Sequence, residues 1–380
     1  MTATPVDPRA ISTTPDEQAS QWKLIWLAFR RHRLAMFGAA VVLALYAIGL
    51  FAEFLAPFDP NAFSSRHSYH PPQAVHFIDR VEDGGWAFRP HVIGLQLERD
   101  TFTLATTYVP DPEHKIYLTL FGKGTPYKLW GLIPMDRHLI APVDPSERFY
   151  LIGADRLGRD MLSRVIHGTR ISMSIGLVGV ALSLTFGLIL GGISGYFGGR
   201  IDSLIQRLVE LVLALPTIPI WLGLSAALPQ DWSPLMRYFA ITIILSLVGW
   251  TELARVVRGR FLALRTEDFV TAARLDGGSK GRVIFRHMMP SMVSHIIASV
   301  TLAIPVMIIA ETSLSFLGLG LMPPTISWGV LLKEAQNVRS IAQAPWLFIP
   351  GAAVVIAVLA FNFLGDGLRD AADPYTQDGR

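Results

Sequence analysis

The sequence predicts an all-α polytopic membrane protein with six transmembrane helices and a small β-rich extracytoplasmic insertion. Hydrophobic residues make up 51% of its 380 residues and charged residues only 17%, whereas a soluble domain carries roughly 25% charged residues. Six apolar stretches are about 20 residues or longer, which is the length needed to cross a bilayer. Residues 57–150 interrupt this pattern with prolines, turn-forming residues and mixed charge.

The apolar stretches predict the membrane spans. They are rich in Gly, Ala and Ser, which allow neighbouring helices to pack closely in lipid. Pro216, Pro219 and Pro305 fall inside predicted spans and are expected to kink them. The alternative, buried helices of a large soluble α protein, does not account for so many stretches of this length. The predicted spans are 34–56, 171–197, 204–228, 236–254, 291–319 and 346–365.

Residues 1–33 predict a polar N-terminal tail, disordered at first and ending in the amphipathic stretch QWKLIWLAFRRHR. A cleavable signal peptide would place its basic residues near the start of the chain. Here Arg30, Arg31 and Arg33 come late, directly before a long apolar stretch. The sequence therefore predicts an uncleaved first span.

The basic residues predict the orientation, because short cytoplasmic loops carry an excess of Lys and Arg. Eight basic residues lie between Arg255 and Arg286, in the connection between the fourth and fifth spans. The third–fourth connection has only Arg237, and the fifth–sixth has Lys333 and Arg339. We expect both termini, including the 366–380 tail, to be cytoplasmic.

The insertion at 57–150 contains two β-like stretches, DTFTLATTYV and KIYLTLFG, separated by the turn-forming PDPEH. This pattern predicts a hairpin. Its histidines match no zinc-site spacing and have no acidic cluster beside them, so no metal site is predicted. They are expected to be surface or packing residues: His67, His70, His76 and His91.

Residues 151–170 show apolar positions at helical spacing. They predict an amphipathic helix on the outer membrane surface, leading into the second span. Asp160 and Arg164 are spaced for an i,i+4 ion pair on another face of that helix.

The segment TAARLDGGSKGRVIFRHMMP, from Thr271 to Pro290, lies between two strongly apolar stretches. It predicts a short helix capped by Thr266, a turn at Gly277 and Gly278, and a second helix capped by Ser279. Val283, Ile284 and Met288 form the predicted apolar side of the second helix, and the VIF run (283–285) is expected to be stiff.

Ala272, Ala273 and the two glycines give this segment a surface with little side-chain bulk, which a partner's groove could approach closely. An ordinary basic loop on anionic lipid headgroups explains the pattern equally well.

The segment resembles the cytoplasmic Glu-Ala-Ala loop of ABC importer permeases, with Ala272, Ala273, Gly277, His287 and Pro290 in register. More closely, it is similar to the peptide/nickel permease family, in the branch with a long first extracytoplasmic loop. The resemblance covers about 151–374 and the first span. Other stretches that carry it are LIGADRLGRDMLSRVIHGTRIS, AETSLSFLGLGLMPPTISWG and NFLGDGLRDAADP.

Three positions depart from the family's pattern, and the insertion is longer than the family leads one to expect. Thr271 replaces the usual Glu, Asp276 stands where Leu is common, and Met289 replaces Leu. Asp276 restores some negative charge for a basic partner surface. The resemblance implies that ATPase subunits contact the 255–290 segment through Thr271, Ala272, Ala273, Asp276, Gly277, Gly278, His287 and Pro290.

The resemblance also implies the partners: a second permease, two cytosolic ATPases and an extracytoplasmic solute-binding protein. In this chain the nearest fragment to a P-loop, GGSKGR, lacks the required spacing, so we expect no nucleotide, cofactor or catalytic role here. The 171–365 region would form the permease core. The solutes of the family include di- and oligopeptides and nickel chelates.

Glu311 lies well inside the fifth predicted span. A charge at the centre of a span costs about 2.5–3.5 kcal/mol, so this carboxylate is expected to face the bundle interior. A structural hydrogen bond to Ser or Thr and a place on the solute pathway are both compatible with that position. Nearer the membrane boundary, Glu252 is expected to pair with Arg255 or Arg258.

Two other classes of function remain open on the residues alone. An ion-gradient-driven secondary transporter would show paired inverted repeats with broken helices near mid-membrane, and no such repeat is clear. A membrane-anchored solute receptor would not need six spans or a low-bulk cytoplasmic segment.

Overall fold

The computed structural model describes residues 21–80, 85–99, 106–229, 231–337 and 342–372. The part of the tail expected to be disordered lies outside these residues. The chain begins with α1 (Gln21–Arg31), α2 (Arg33–Leu50) and the short α3 (Ala52–Leu55). Phe29 of α1 is buried against Ala35 and Ala371, so α1 is packed on the bundle.

Five helices are long and apolar enough to cross a membrane within the described residues. One is α2, and the others lie in α4 (Met161–Phe197), α7 (Pro234–Leu264), α11 (Val293–Phe316) and the last helix, α13 (Ile349–Ala372). A bent pair, α5 (Gly199–Ala214) and α6 (Thr217–Ala226), makes a sixth if it is counted as one span.

The bend between α5 and α6 measures 84° and falls at the predicted proline. Pro216 has extended backbone at φ −65° and ψ 123° and precedes the first residue of α6. It therefore breaks the helix, whereas α11 continues through Pro305.

The predicted separate surface helix at 151–170 is not found. Helix α4 begins only at Met161 and continues unbroken for 37 residues to Phe197. The Asp160 carboxylate starts it by accepting hydrogen bonds from the Ser163 N–H at 2.8 Å and the Ser163 hydroxyl at 2.6 Å. Asp160 thus serves as the N-cap rather than as the ion-pair partner of Arg164.

Helix α7 ends at Leu264, ten residues after the predicted end of the span at 254. Val257 and Phe261 are buried and continue its inward face past the predicted end of the span. Of the basic residues that predicted a loop, Arg255, Arg258 and Arg260 lie on this helical extension.

Helices α4 and α7 pack closely along a row of glycines on α4. An added Cβ would lie 2.7 Å from Leu253 Cβ at Gly187, 2.5 Å from Ala254 O at Gly191, and 2.6 Å from Phe261 Cβ at Gly195. Side chains are therefore excluded at this i, i+4, i+8 row, which brings the two backbones together. This glycine row agrees with the prediction that small residues allow the spans to pack closely.

The insertion is β-rich, as expected. Its four-stranded sheet has the order β1 (Val75–Arg80), β2 (Trp86–Arg99), β3 (Thr106–Leu120) and β6 (Ile140–Pro142). A separate two-stranded hairpin joins β4 (Lys123–Leu129) to β5 (Ile133–Arg137).

The predicted hairpin around PDPEH is wrong, because β3 runs straight through those residues. Ile93 pairs with Lys115, whereas the next residue, Gly94, pairs with Asp111. The extra residues, 112–114, form a bulge that takes Pro112 out of the ladder, whereas Pro110 stays in register opposite Leu95.

The insertion's histidines contact aromatic rings. The centroid of His70 lies 4.6 Å from that of Tyr150 and 4.9 Å from that of Tyr108. Burial lowers the pKa of His70 to about 4. His91 packs on His76 at 5.5 Å and on Tyr117 at 5.7 Å. These contacts agree with the predicted packing role.

Candidate functional site

The elbow segment, residues 265–291, connects the ends of α7 and α11. Its first half is α8 (Asp268–Leu275), which begins after Glu267. The expected cap Thr266 does not serve α8, because its hydroxyl donates instead to the Ala263 carbonyl at 3.0 Å. The positive N-terminal end of α8 still carries the two acidic residues that suit it.

A glycine turn ends α8. Gly277 has a φ of +76°, which favours glycine. The Gly278 N–H donates to the Ala273 carbonyl and the Gly277 N–H to the Arg274 carbonyl, both at 3.1 Å. These two bonds make a Schellman motif. An added Cβ on Gly278 would lie 2.6 Å from the Ala273 oxygen, so the second glycine is required by space.

The second half of the elbow segment starts at Ser279, whose hydroxyl accepts from the Arg282 N–H at 3.3 Å as predicted. It comprises α9 (Lys280–Arg282), a π-helical turn (Val283–Met288) and α10 (Met289–Ser291). The VIF run is therefore part of a widened turn. Pro290 supplies the physical reason, because it lacks an N–H and cannot continue regular α-helical bonding to residue 286.

The inner face of the elbow segment is apolar and buried. Val270, Val283 and Met288 are fully buried against Val257 and Phe261 of α7. Leu188 and Tyr196 of α4 and Ile296 of α11 pack on the same cluster. The segment is thus packed against three of the helices that are long and apolar enough to cross a membrane.

Basic side chains of the elbow segment lie on aromatic rings at the end of α4. The Arg274 guanidinium is 5.2 Å from the Tyr196 ring centroid, and the Lys280 ammonium is 5.3 Å from that of Phe197. Such contacts contribute roughly 0.5–1 kcal/mol each at exposed sites. They attach both halves of the elbow segment to the same helix.

Arg258 was expected, with Arg255, as a partner of Glu252, but it pairs with a different carboxylate. Arg258 binds both carboxylate oxygens of Asp202 in α5, at 2.6 and 2.7 Å. The Ser194 hydroxyl of α4 also donates to Asp202. The pair joins α5 to α7 beside the elbow segment, a long-range contact that sequence spacing does not reveal.

The outer face of the elbow segment exposes large apolar side chains next to small ones. Leu275 is 83% exposed, Phe285 68% and Phe269 42%. Thr271 and Ala272 are exposed between them. The sequence prediction missed these three apolar residues, although the even spread of apolar residues around such short helices was a signal for them.

The predicted contact residues all lie on the elbow segment, in α8, in the glycine turn and in the segment's second half. Five are exposed and three are half-buried. The exposed residues are Thr271, Ala272, Asp276, Gly277 and Pro290, and the half-buried ones are Ala273, Gly278 and His287.

Glu311 lies apart from the elbow segment, in the last third of α11, and is fully buried. It accepts hydrogen bonds from the hydroxyls of Ser315 and Ser327 at 2.8 Å and of Ser172 at 3.3 Å. Ser172 belongs to α4, and Ser327 caps α12 (Trp328–Glu334). The carboxylate therefore links three helices through serine hydroxyls.

A cluster of four charged residues lies at the N-terminal end of α4, away from the elbow segment. This four-charge junction is formed by Asp155, Arg159, Arg164 and Glu334. Arg159 is 2.6 Å from Asp155 and 2.7 Å from Glu334. Arg164 is 3.5 Å from Asp155 and 3.4 Å from Glu334. Asp155 and Arg164 are at most 1% exposed. Burial, with the Asp155 carboxylate beside it, raises the pKa of Glu334.

Two known protein families match the chain, one near its N-terminus and one over its second half. The family described as "Binding-protein-dependent transport system inner membrane component" matches residues 185–377. The "N-terminal TM domain of oligopeptide transport permease C" matches residues 20–72. The first match includes the whole elbow segment, and the second includes α1 and α2.

Curated relatives align with this chain over most of their own length. A "Putative peptide permease protein" of Brucella ovis is 38% identical over 251 residues, 65% of this chain and 81% of that protein. The "Oligopeptide transport system permease protein OppC" of Bacillus subtilis is 36% identical, covering 60% and 73%. The "Dipeptide transport system permease protein DppC" of Bacillus subtilis is 36% identical, covering 60% and 70%.

Among solved structures, the inward-facing MetNI methionine ABC transporter has a chain that aligns at 16% identity and a TM-score of 0.44, covering 56% of this chain and 98% of that one. The family assignment depends on the sequence matches, not on this likeness.

Proposed function

The chain belongs to the inner-membrane permeases of ABC importers, and from that membership we propose that it forms half of the translocation pathway for peptides or similar small solutes. The relatives that suggest the solute are named as peptide permeases. The proposed complex contains a second permease subunit, two cytosolic ATPases that hydrolyse ATP, and an extracytoplasmic solute-binding protein. Both termini are proposed to be cytoplasmic.

The proposed coupling surface is the outer face of the elbow segment. The observation that carries this proposal is the exposed set Phe269, Leu275 and Phe285 on a segment whose inner face is fully buried between α4, α7 and α11. Exposed apolar side chains grouped around a turn indicate a partner surface. The elbow segment would fill a cleft of an ATPase subunit with these side chains.

The proposed mechanism follows from the exposed outer face and the buried inner face of the elbow segment. ATP-driven closure of the ATPase pair would move the elbow segment, and its buried cluster would pass that displacement to the three helices it contacts. Because the segment is held by packing and by two cation–π contacts, it would move with the helix ends as one body. The importer would then shift between inward-open and outward-open populations.

Glu311 is proposed as a structural residue. Its full burial and its three serine donors support this role more than direct contact with the solute.

Two matched substitutions test the coupling surface. Gly277 needs its left-handed backbone, whereas Gly281 lies in α9 and both have open space around an added Cβ. Gly277→Val should abolish ATP-coupled uptake by the reconstituted importer while the chain still inserts into the membrane. Gly281→Val should retain most of the uptake, because its backbone tolerates any residue.

Membrane insertion is checked by the amount of each variant in washed membranes, and coupling by solute uptake at saturating ATP. Uptake by Gly277→Val at the wild-type rate would contradict the proposed coupling surface.

A further inference from the structure

The tip of the β4–β5 hairpin lies against the end of the first span. Trp130, in the turn of the hairpin, donates its indole N–H to the Leu50 carbonyl at 2.7 Å. Its ring lies 6.1 Å from that of Phe51. Leu50 is the last residue of α2, so the hairpin tip is fixed to the point where a membrane helix ends.

The base of the hairpin is attached to the same region of the chain. The Leu139 N–H donates to the Phe54 carbonyl at 2.9 Å. The His138 ring lies 2.6 Å from the Ala56 carbonyl through Nδ1 and is buried. The hairpin is therefore held at both ends and has a defined height relative to α2.

That height corresponds to the boundary of the hydrocarbon core. Arg33 and the two arginines before α2 mark one boundary, since charged side chains do not remain inside the core. From Leu34 to Leu50, 17 residues of helix rise about 25 Å at 1.5 Å each. The hydrocarbon core is about 30 Å thick. The Leu50 carbonyl and the Trp130 indole thus lie close to the opposite interface.

The hairpin tip exposes apolar side chains at this depth. Leu132 is 79% exposed, Ile133 47% and Trp130 46%. On α2, Leu43 at 69% and Leu50 at 51% form an exposed apolar face that leads up to the tip. The outward face of the span therefore continues onto the hairpin without a polar gap between Leu50 and Trp130.

The charges of the hairpin suit a lipid headgroup layer. Between residues 123 and 137 the chain has Lys123, Lys128 and Arg137 against Asp136, which gives a net charge of +2. Lys128 and Arg137 are exposed. Basic residues beside an apolar tip attract anionic headgroups, and tryptophan is enriched at this interface because its ring is apolar and its N–H is polar.

We propose that the hairpin tip, residues 130–133, inserts into the lipid interface on the insertion's side of the membrane. Leu132 and Ile133 enter the upper acyl-chain region, Trp130 lies at the headgroup boundary, and the basic residues contact phosphates. The insertion is then held by the bilayer as well as by its contacts to α2 and α4, which fixes the orientation of the sheet above the permease.

Because the chain contains no cysteine, single labels can test this depth in the assembled importer. A polarity-sensitive fluorophore is attached to Leu132→Cys, to Leu43→Cys as a mid-span reference, and to Glu113→Cys in the exposed bulge of β3 as a water reference. Each complex is placed in vesicles of phosphatidylcholine and phosphatidylglycerol. Quenching is compared between aqueous iodide and lipids carrying a nitroxide at the 5-position of the acyl chain.

The proposal predicts that the label at residue 132 is quenched several-fold more by the 5-position nitroxide than by iodide, and that the label at residue 113 shows the reverse. Strong iodide quenching at residue 132 would overturn it by placing the tip in water. Quenching by neither reagent would also overturn it, because a protein partner would then cover the tip. Uptake measured on the same vesicles shows that each labelled complex is intact.

Discussion

The elbow segment and the four-charge junction both fix an end of α4 to distant parts of the chain, but they use different interactions. The junction holds Asp155 and Arg164 almost completely out of solvent within a network of four charges. The elbow segment places the exposed Arg274 and Lys280 against the rings of Tyr196 and Phe197 and leaves Leu275 exposed.

The difference indicates which end is built to move. Separating buried, paired charges leaves each without a partner in a low-dielectric environment, which is strongly unfavourable. The elbow segment contacts α4 through an apolar cluster and two cation–π contacts rather than through buried charge pairs, so this end of α4 can shift together with the segment at much lower cost. The junction is suited to holding the N-terminal end of α4 and the C-terminal end of α12 in one arrangement, and the elbow segment to being displaced by a partner.

The largest expected effect is on thermal stability, and it is measured by making the same Arg→Met substitution at each end of α4. Arg164→Met removes one cation from the buried network and leaves Asp155 and Glu334 with unbalanced charge, so we expect a loss of about 3–5 kcal/mol in stability. Arg274→Met in the elbow segment removes a cation–π contact and should cost about 1 kcal/mol or less. Thermal unfolding of the detergent-solubilised chain, followed by circular dichroism, measures both.

If the two arginine variants melt at the same temperature, the contrast between a fixed end and a movable end is wrong. The uptake assay adds a second comparison. Arg274→Met should reduce solute uptake clearly, although it lowers the melting temperature only slightly.

A smaller, pH-dependent effect should distinguish the insertion, which contacts the junction end of the chain, from the elbow segment. His70 of the insertion has a pKa of about 4 because burial disfavours its charged form, and burial lowers the pKa of His67 as well. The unfolded chain takes up a proton near pH 6.5 and the folded chain only near pH 4. Stability of the insertion should therefore be constant above about pH 6.5 and fall by up to about 3 kcal/mol on acidification to pH 4.

Limited proteolysis of the insertion between pH 7.5 and pH 4.5, with an acid-tolerant protease, measures this effect. His70→Gln cannot titrate and should show a weaker pH dependence, while cleavage at the elbow segment should not follow the same curve. An unchanged pH dependence in His70→Gln would assign the effect to another group.

The sequence predicted the features that depend on local chemistry. The span positions followed from runs of apolar residues, and the elbow segment followed from Gly277 and Ser279, whose turn and cap geometry is local. The proline break at Pro216 was predicted for the same reason.

Features that depend on distant contacts were not predictable in this way. Arg258 binds Asp202, 56 residues away, and Arg164 meets Glu334, 170 residues away, so spacing suggested local partners instead. The β3 bulge was mistaken for a turn because Pro110 and Pro112 favour turns locally, whereas pairing with β2 keeps the strand extended.

The exposed residues of the elbow segment were missed for a related reason. In a helix of eight residues such as α8, which apolar residues are buried depends on where the neighbouring helices lie. Val270 is buried against α7 while Phe269 beside it is exposed. Periodicity alone does not distinguish them.

Cross-linking from Leu275 tests the coupling proposal most directly. In the cysteine-free chain, Leu275→Cys is labelled with a short photoactivatable cross-linker in the assembled importer, with and without ATP, and adducts are identified by mass spectrometry. The coupling proposal predicts a covalent adduct between this residue and an ATPase subunit, with a yield that changes on ATP binding. It is contradicted if residue 275 forms no adduct and if, in parallel unlabelled samples, the thiol of Leu275→Cys stays fully reactive to a water-soluble maleimide in every nucleotide state.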